Sequence, residues 1–403
     1  MRWLALLVLA NASACKVTAT FECTSADECR LGTMTGNCEP AGFCSFFDPA
    51  CPSGYRYDDS AVDPLGNQCV DGVRARRKPI TIDGTRVAET CVDFPVWIDL
   101  TDAQLAARAQ PDGGDLVFTD VNGTAIPYEI QNWDPATGHL GAWIELAQLD
   151  PGTATVIYVQ YGIARTANPD SKVVFGNGFA AVWHFDDPLS TPAIADATRT
   201  HAGTAVGLEP ARQVPARLGG GIDFQALNDL IQFVNPLIGA GSHTISAWID
   251  ARTATAYNGI VIVGSPLTNQ SRWFHTAFMG GVSVGFYGND WAPAAPTVDG
   301  AGWTLLHWVF DGSTRVSRLY RDGVLLGTFT HATGIDTQGA AGYIGYAPGQ
   351  WGPSLTTPVS LRGTLDEVRI ATVARSAGWI ATEFANQGSP STFYTVGDEE
   401  LAP

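Results

Sequence analysis

The chain has 403 residues, 45% hydrophobic and 10% aromatic, enough to bury sizeable cores and to fill two or three domains. Against 40 acidic residues it sets only 23 Lys and Arg, and the formal charge of −17 argues against nucleic acid or an anionic membrane surface as partner. Its 44 glycines and 24 prolines punctuate short alternating apolar runs, which points to an all-β chain.

At the N-terminus, Met1-Arg2 is a short positive start, Trp3 to Ala10 is apolar, and Ala12-Ser13-Ala14 supplies small residues at a cleavage position. This pattern predicts a secretory signal peptide over residues 1–14, too short to span a membrane, and an exported protein, either secreted or held at the cell surface or outer membrane. The tetrapeptide Ala12-Ser13-Ala14-Cys15 resembles a bacterial lipobox, with Ala12 where Leu is usual. The resemblance implies acylation of Cys15 and membrane attachment through that lipid alone. The alternative is plain cleavage that leaves Cys15 as an unmodified terminus.

Residues 15–72 hold Cys23, Cys29, Cys38, Cys44, Cys51 and Cys69, six of the eight cysteines, in a polar stretch with few aliphatic residues. Such a segment cannot build a core alone, so these cysteines are expected in disulfides. Zinc is disfavoured because the stretch has no C-x-x-C pair and no histidine. Fifteen connectivities are open to six cysteines. If Cys15 is acylated, Cys91 is a lone thiol; otherwise the two could pair.

The basic run Arg74 to Lys78 reads as a solvated lead-in to a strand. Strand-like runs follow at Pro79–Ile82, Phe94–Leu100, Asp115–Asp120, Ile126–Ile130, Ala142–Leu146 and Thr155–Gly162. Asn122-Gly123, lying between two of them, predicts a hairpin. This order of runs, ending in Ile157-Tyr158-Val159-Gln160-Tyr161-Gly162, resembles the DUF2341 family over residues 76–162. The resemblance implies a β-sandwich and brings no established chemistry. Residues 163–178 read as a polar, turn-rich linker.

Further runs occupy Ala181–Asp186, Gly219–Phe224, Asp229–Phe233, Thr244–Ile249, Trp303–Phe310 and Ser317–Tyr320, with an Asp322-Gly323 turn before Val324–Gly327. In Leu361 to Phe384 (LRGTLDEVRIATVARSAGWIATEF), a Gly turn leads into the alternation Leu365, Val368, Ile370. Ala377, Ile380, Ala381 and Phe384 then recur at helical spacing. Residues 179–398 therefore resemble a LamG-like jelly roll of the concanavalin A-like lectin/glucanase fold. The full expectation is a small disulfide-rich module, a β-sandwich middle domain and a jelly roll. The fold implies a surface for sugars or proteins, and in many relatives a calcium ion, for which Asp186, Asp196, Asp229 and Asp366 are the acidic candidates.

Catalysis finds little support in the spacing. A glycosidase needs two carboxylates across the scissile bond, and by alternation the adjacent Asp366 and Glu367 face opposite sides of a strand. Gly281-Val282-Ser283-Val284-Gly285 matches G-x-S-x-G but continues as a strand, without the helix of a nucleophile elbow. The seven histidines are scattered. His184 and His307, each near a Trp in a strand, read as packing or sheet-surface residues. Trp273, Trp291 and Trp351, beside polar, Gly or Pro residues, are candidates to present a flat apolar face to a sugar, with Asn289, Asp290 and Gln350 as hydrogen-bonding neighbours. The expected role is a non-catalytic, glycan-binding surface or secreted protein. A protein-binding adhesin is the alternative, and a glycoside hydrolase or lyase the weaker third.

Overall fold

The computed structural model describes residues 20–402 except 52, 71–74, 163–168, 253–257, 279–280, 295–296 and 350–357. The predicted signal segment, Cys15, Gln350 and Trp351 lie outside the described residues. The chain divides into two compact units, Met1–Ala75 and Arg76–Pro403.

The first unit is built on a three-stranded sheet of Asn37–Cys38, Cys44–Phe47 and Tyr55–Tyr57. Its apolar cluster, Phe43, Tyr57, Ala61 and Val70, is small. Three disulfides compensate: Cys23–Cys38, Cys29–Cys44 and Cys51–Cys69, with sequence separations of 15, 15 and 18 residues. Closing loops of this length removes about 3 kcal/mol of unfolded-state entropy per bridge.

The second unit stacks four antiparallel sheets. Sheet I contains Tyr394–Val396, Arg76–Ile82, Thr155–Tyr161 and Val117–Thr119, with Glu400–Leu401 also pairing to Arg76–Ile82. Sheet II is Cys91–Thr101, His139–Leu149 and Tyr128–Asp134. Sheet III runs Gln213–Pro215, Gly220–Phe224, Gly363–Ala371, His243–Ala251, Thr304–Asp311, Val316–Arg321 and Val324–Thr330, and Phe179–Trp183 also pairs with Gly363–Ala371. Sheet IV runs Ala193–Ile194, Gly203–Val206, Leu230–Val234, Ala341–Ile344, Gly259–Gly264, Ser271–Phe278, Gly281–Gly285 and Asp290–Trp291.

The period-two pattern explains the stacking, since each strand offers alternate residues to opposite faces. Ile80, Ile82 and Val159 of sheet I meet Val96, Ile98 and Ile144 of sheet II. Ile245, Trp308 and Ile370 of sheet III meet Val261, Phe274 and Val284 of sheet IV. The other faces of sheets II and III meet as well, through Trp97 and Trp143 against Val182, Trp248 and Leu305. The middle sandwich and the jelly roll are therefore packed face to face within one unit.

The C-terminal helix Ala377–Gly388, capped by the Ser376 side chain on the Trp379 N–H, fastens this arrangement. Trp379 and Ile380 enter the core of sheets I and II. Asn386 bonds both backbone groups of Trp97, at 2.7 and 2.9 Å, and Gln387 accepts the Trp248 indole N–H at 2.8 Å.

Three local expectations change. The basic lead-in is not solvated: Arg76 and Lys78 are buried, because Glu399 returns beside Arg76 and Asp102 pairs with Lys78. The Asn122-Gly123 turn forms under the Asp120 carboxylate as a short hairpin, with Thr119 bridged antiparallel to Ala125, but the strand beyond it, Tyr128–Asp134, leaves for sheet II. Residues 394–396, counted with the jelly roll in the sequence, pair instead with Arg76–Ile82 in sheet I. The Asp322-Gly323 hairpin forms as expected, with both residues at positive φ.

Candidate ligand-binding face

Sheet IV turns its outer face away from the stack, and one rung of aligned residues crosses it. In register these are Gln232, Tyr343, Ile262, Trp273, Gly285 and Asp290. The neighbouring rung places Gly259 opposite His275 and His275 opposite Ser283. Trp273 is the floor, only 3% exposed, packed with Ile262, Tyr287, Tyr343 and, from the short hairpin of Tyr346–Ala347 and Val359–Ser360, with Ala347 and Val359. Half-buried Tyr287, Tyr343 and Tyr346 form its rim. Tyr287 meets the Trp273 ring edge-on at 5.3 Å, and Tyr343 lies 5.7 Å from Tyr346.

Asp290 closes the rung. Its carboxylate lies over Gly285, where any side chain would collide with it. Oδ2 accepts the Gly288 N–H at 3.1 Å, while Oδ1 is shielded from solvent without a partner. Burial pushes this carboxyl above its ordinary range, against the opposing pull of the backbone N–H groups of residues 286–288. Ser283, fully buried, also has a hydroxyl without a partner. Aromatic surface beside a few convergent polar groups suits a hydroxyl-rich ligand.

Of the residues singled out in the sequence, Trp273 and Asp290 lie on this face, but Trp273 sits within the strand Ser271–Phe278 at 3% exposure, so it supports the tyrosine rim rather than offering its own face to a sugar. Trp291 is not in a loop: it pairs with Val284, faces the jelly-roll core and stacks on Phe329 at 5.8 Å and 7°. Asn289 is occupied within its own loops, donating to Asn269 Oδ1 and accepting from the Ala332 N–H. Sequence reasoning missed Tyr287, Tyr343 and Tyr346. The alternation of Tyr343 with Ile344 carried the signal for at least one of them.

The four acidic candidates for calcium are dispersed. Asp196 caps a turn through five hydrogen bonds, from the N–H groups of Val182, Thr198, Thr200 and His201 and the Thr198 hydroxyl. Burial raises its carboxyl, but these bonds outweigh burial and hold it below the usual value. Asp229 accepts the N–H groups of Gln225 and Ala226 and faces Arg212 at 3.4 Å. Asp186 and Asp366 lie near one another where sheets II and III meet. Among the described residues, three potential side-chain ligands gather within 4.8 Å only at Cys23, Cys29 and Cys38, all in disulfides.

That seam between sheets II and III is charged. Strand Gly363–Ala371 bulges against His243–Ala251, and Glu367 takes φ +51°. The alternation expected for Asp366 and Glu367 is broken there, and both turn away from the jelly-roll core with Arg369, while Leu365, Val368 and Ile370 stay in it. Glu367 bonds His184 Nδ1 at 2.6 Å and Arg369 at 2.7 Å, His184 Nε2 faces Glu129 at 3.4 Å, and Arg369 continues to Glu383 at 3.1 Å. Glu383 reaches His307 at 3.1 Å, and the Arg369 guanidinium stacks 4.3 Å above the Trp143 ring. His184 and His307 are thus members of a buried ionic chain rather than sheet-surface residues.

The electrostatics follow. Burial opposes charge on His184, but Glu367 and Glu129 outweigh it and hold the imidazole well above its usual value. Burial also works against the charge on Glu383, yet His307 and Arg369 bring it down to about 2. Asp366, without a cation of its own, is raised by burial and by the charge of Glu367. Beside this chain a cleft of about 280 Å³ opens, lined by Glu129, Gln131, His184, Asp186, Asp187 and Arg199 among others. The enclosing walls push the Asp186 carboxyl up to about 6. Glu367, the neighbouring ionised carboxylate, is 1% exposed and held by His184 and Arg369.

The fold and these sites define a two-sandwich β protein whose second sandwich is a jelly roll with an aromatic cluster on its outer sheet face. Comparison agrees: residues 225–381 match the family model of the concanavalin A-like lectin/glucanases superfamily. Residues 112–198 match the domain of unknown function DUF2341, so the chain carries a DUF2341 domain followed by a LamG-like one. No curated protein matches the chain. Among solved structures, domain 4 of AbnA, a GH43 extracellular arabinanase from Geobacillus stearothermophilus in complex with arabinotriose, is 16% identical over 51% of this chain and 98% of that one, with a TM-score of 0.40. The binding domain of Paraclostridial Mosquitocidal Protein 1 is 12% identical over 51% and 52%, with a TM-score of 0.38. Trypanosoma rangeli sialidase is 15% identical over 52% of this chain and 33% of that one, with a TM-score of 0.36.

Proposed function

We propose that this protein is a non-catalytic binding protein and that the outer face of sheet IV takes a carbohydrate. The observation that carries this reading is the cluster of half-buried Tyr287, Tyr343 and Tyr346 around Trp273, with the half-buried Asp290 carboxylate at the end of the same rung. Pyranose rings present apolar C–H faces between hydroxyls, so aromatic surface with a hydrogen-bond acceptor beside it matches both halves of their chemistry. In this reading the seam contributes support rather than chemistry: Glu129 and Glu367 are held by His184 and Arg369, and the acids left beside Asp186 are its chain neighbour Asp187 and the fully buried Asp366.

The test is a glycan-array screen of the full chain, with Tyr343→Ala and Tyr287→Ala as variants whose thermal melting is checked in parallel. Selective binding that either variant weakens about tenfold or more, a loss of about 1.4 kcal/mol, supports the reading. Folded protein that binds no glycan, or variants that bind as the parent does, would overturn it.

A further inference from the structure

Taking the carbohydrate reading as given, we infer that the ligand of this face is an uncharged glycan and that Asp290 is the residue enforcing this choice. Along the rung from Gln232 to Asp290 and its neighbour from Gly259 to Ser283, Asp290 is the single acidic or basic side chain among the described residues, the buried imidazole of His275 apart. The nearest cation by sequence, Arg272, lies on the adjoining strand position and so points to the opposite face. There its guanidinium sits 5.6 Å from the rings of Phe286 and Phe310 and donates to the carbonyls of Gly239 and Gly241. It has no reach to the outer face.

A uronate, sulfate or sialic acid would therefore set its charge beside a partly desolvated carboxylate with no cation to offset it, and in low dielectric such a pairing is strongly unfavourable. The chain's formal charge of −17 works in the same direction at long range. A neutral hydroxyl meets the opposite situation. Asp290 is half-buried rather than enclosed, and a bound hydroxyl donating to its carboxylate makes a charge-assisted hydrogen bond. The carboxylate lies over Gly285, which has no side chain to displace it.

The experiment compares neutral oligosaccharides with uronate-containing, sulfated and sialylated ones on the full chain, at low and high salt. The expected result is binding confined to neutral members and little changed by salt, because no exposed ion pair contributes. Asp290→Asn, with its melting checked, should weaken the best neutral ligand about tenfold, as loss of a hydrogen bond to a charged group does. Binding confined to anionic glycans would overturn the charge inference while leaving the carbohydrate reading intact. Neutral binding unaffected by Asp290→Asn would remove Asp290 as its cause. An absence of all glycan binding would take both readings down together.

Discussion

Arg369 should be the most costly single side chain to remove from the larger unit. It is 2% exposed, bonds Glu367 through Nη2 at 2.7 Å and Nε at 3.2 Å, bonds Glu383 through Nη1 at 3.1 Å, and covers the Trp143 ring at 4.3 Å. Arg369→Met keeps much of the apolar stem but strands two buried carboxylates, leaving Glu367 to His184 and Glu383 to its hydrogen bond with His307 and the more distant charge of Arg375. Removing one member of a buried ionic network costs about 3–5 kcal/mol, a large share of the roughly 5–15 kcal/mol that stabilises a typical domain. Urea unfolding followed by tryptophan fluorescence reads this directly, since Trp143 and Trp248 flank the seam. Adding Glu367→Gln to Arg369→Met should recover part of the loss, with a coupling of about 0.5–3 kcal/mol. A destabilisation by Arg369→Met below about 1 kcal/mol would show that the ionic chain is incidental and that apolar packing alone joins the sandwiches.

Other outcomes follow from the same geometry. Glu383, at about 2 when folded against about 4.3 when unfolded, contributes stability above pH 4.3 that is lost as pH falls through 2. Asp186, raised to about 6, has the opposite sign: its contribution is complete below about pH 3.9 and lost as pH rises through 6. Calorimetric melting temperature should therefore peak near pH 4–5. Glu383→Gln should flatten the acid side, and an unchanged acid limb in that variant would refute the assignment. Asn386→Ala removes both bonds to the Trp97 backbone, leaves a buried N–H and C=O unpaired, and should cost about 2–3 kcal/mol in urea unfolding. Replacing Cys51 and Cys69 together by Ser should lower the stability of the N-terminal module by about 3 kcal/mol. The unfolding of residues 76–403, whose cysteine is the buried free thiol Cys91, should be unaffected, as limited proteolysis can show.

Much of the architecture was legible in the sequence because a half-buried strand writes its alternation plainly. The runs around Ile245–Ile249, Leu306–Phe310 and Leu365–Ile370 all became strands of sheet III facing one core. What alternation hides is its own interruption. The bulge at Glu367 puts a non-glycine residue at positive φ inside a strand, and nothing in LDEVRI announces it. Without the bulge, Asp366 and Glu367 cannot share a face and the seam is invisible.

Long-range burial is equally hidden. Arg76 and Lys78 look solvated until the C-terminal strand brings Glu399 back to the first sheet. Trp291, in the stretch Asn289-Asp290-Trp291-Ala292-Pro293, has the local composition of a loop residue, but its pairing with Val284 fixes it on the inner face and gives the outer one to Asp290. The candidate face was thus half legible: its residue types were readable, but not which of two neighbours pointed outward.

The most direct measurement is a crystal structure of the full chain soaked with the best oligosaccharide from the array. The account predicts sugar density on the outer face of sheet IV, against Tyr343 and Tyr287 and within hydrogen-bond distance of the Asp290 carboxylate. Density found instead only in the cleft beside Asp186 and Glu129, with the sheet face empty, would contradict it.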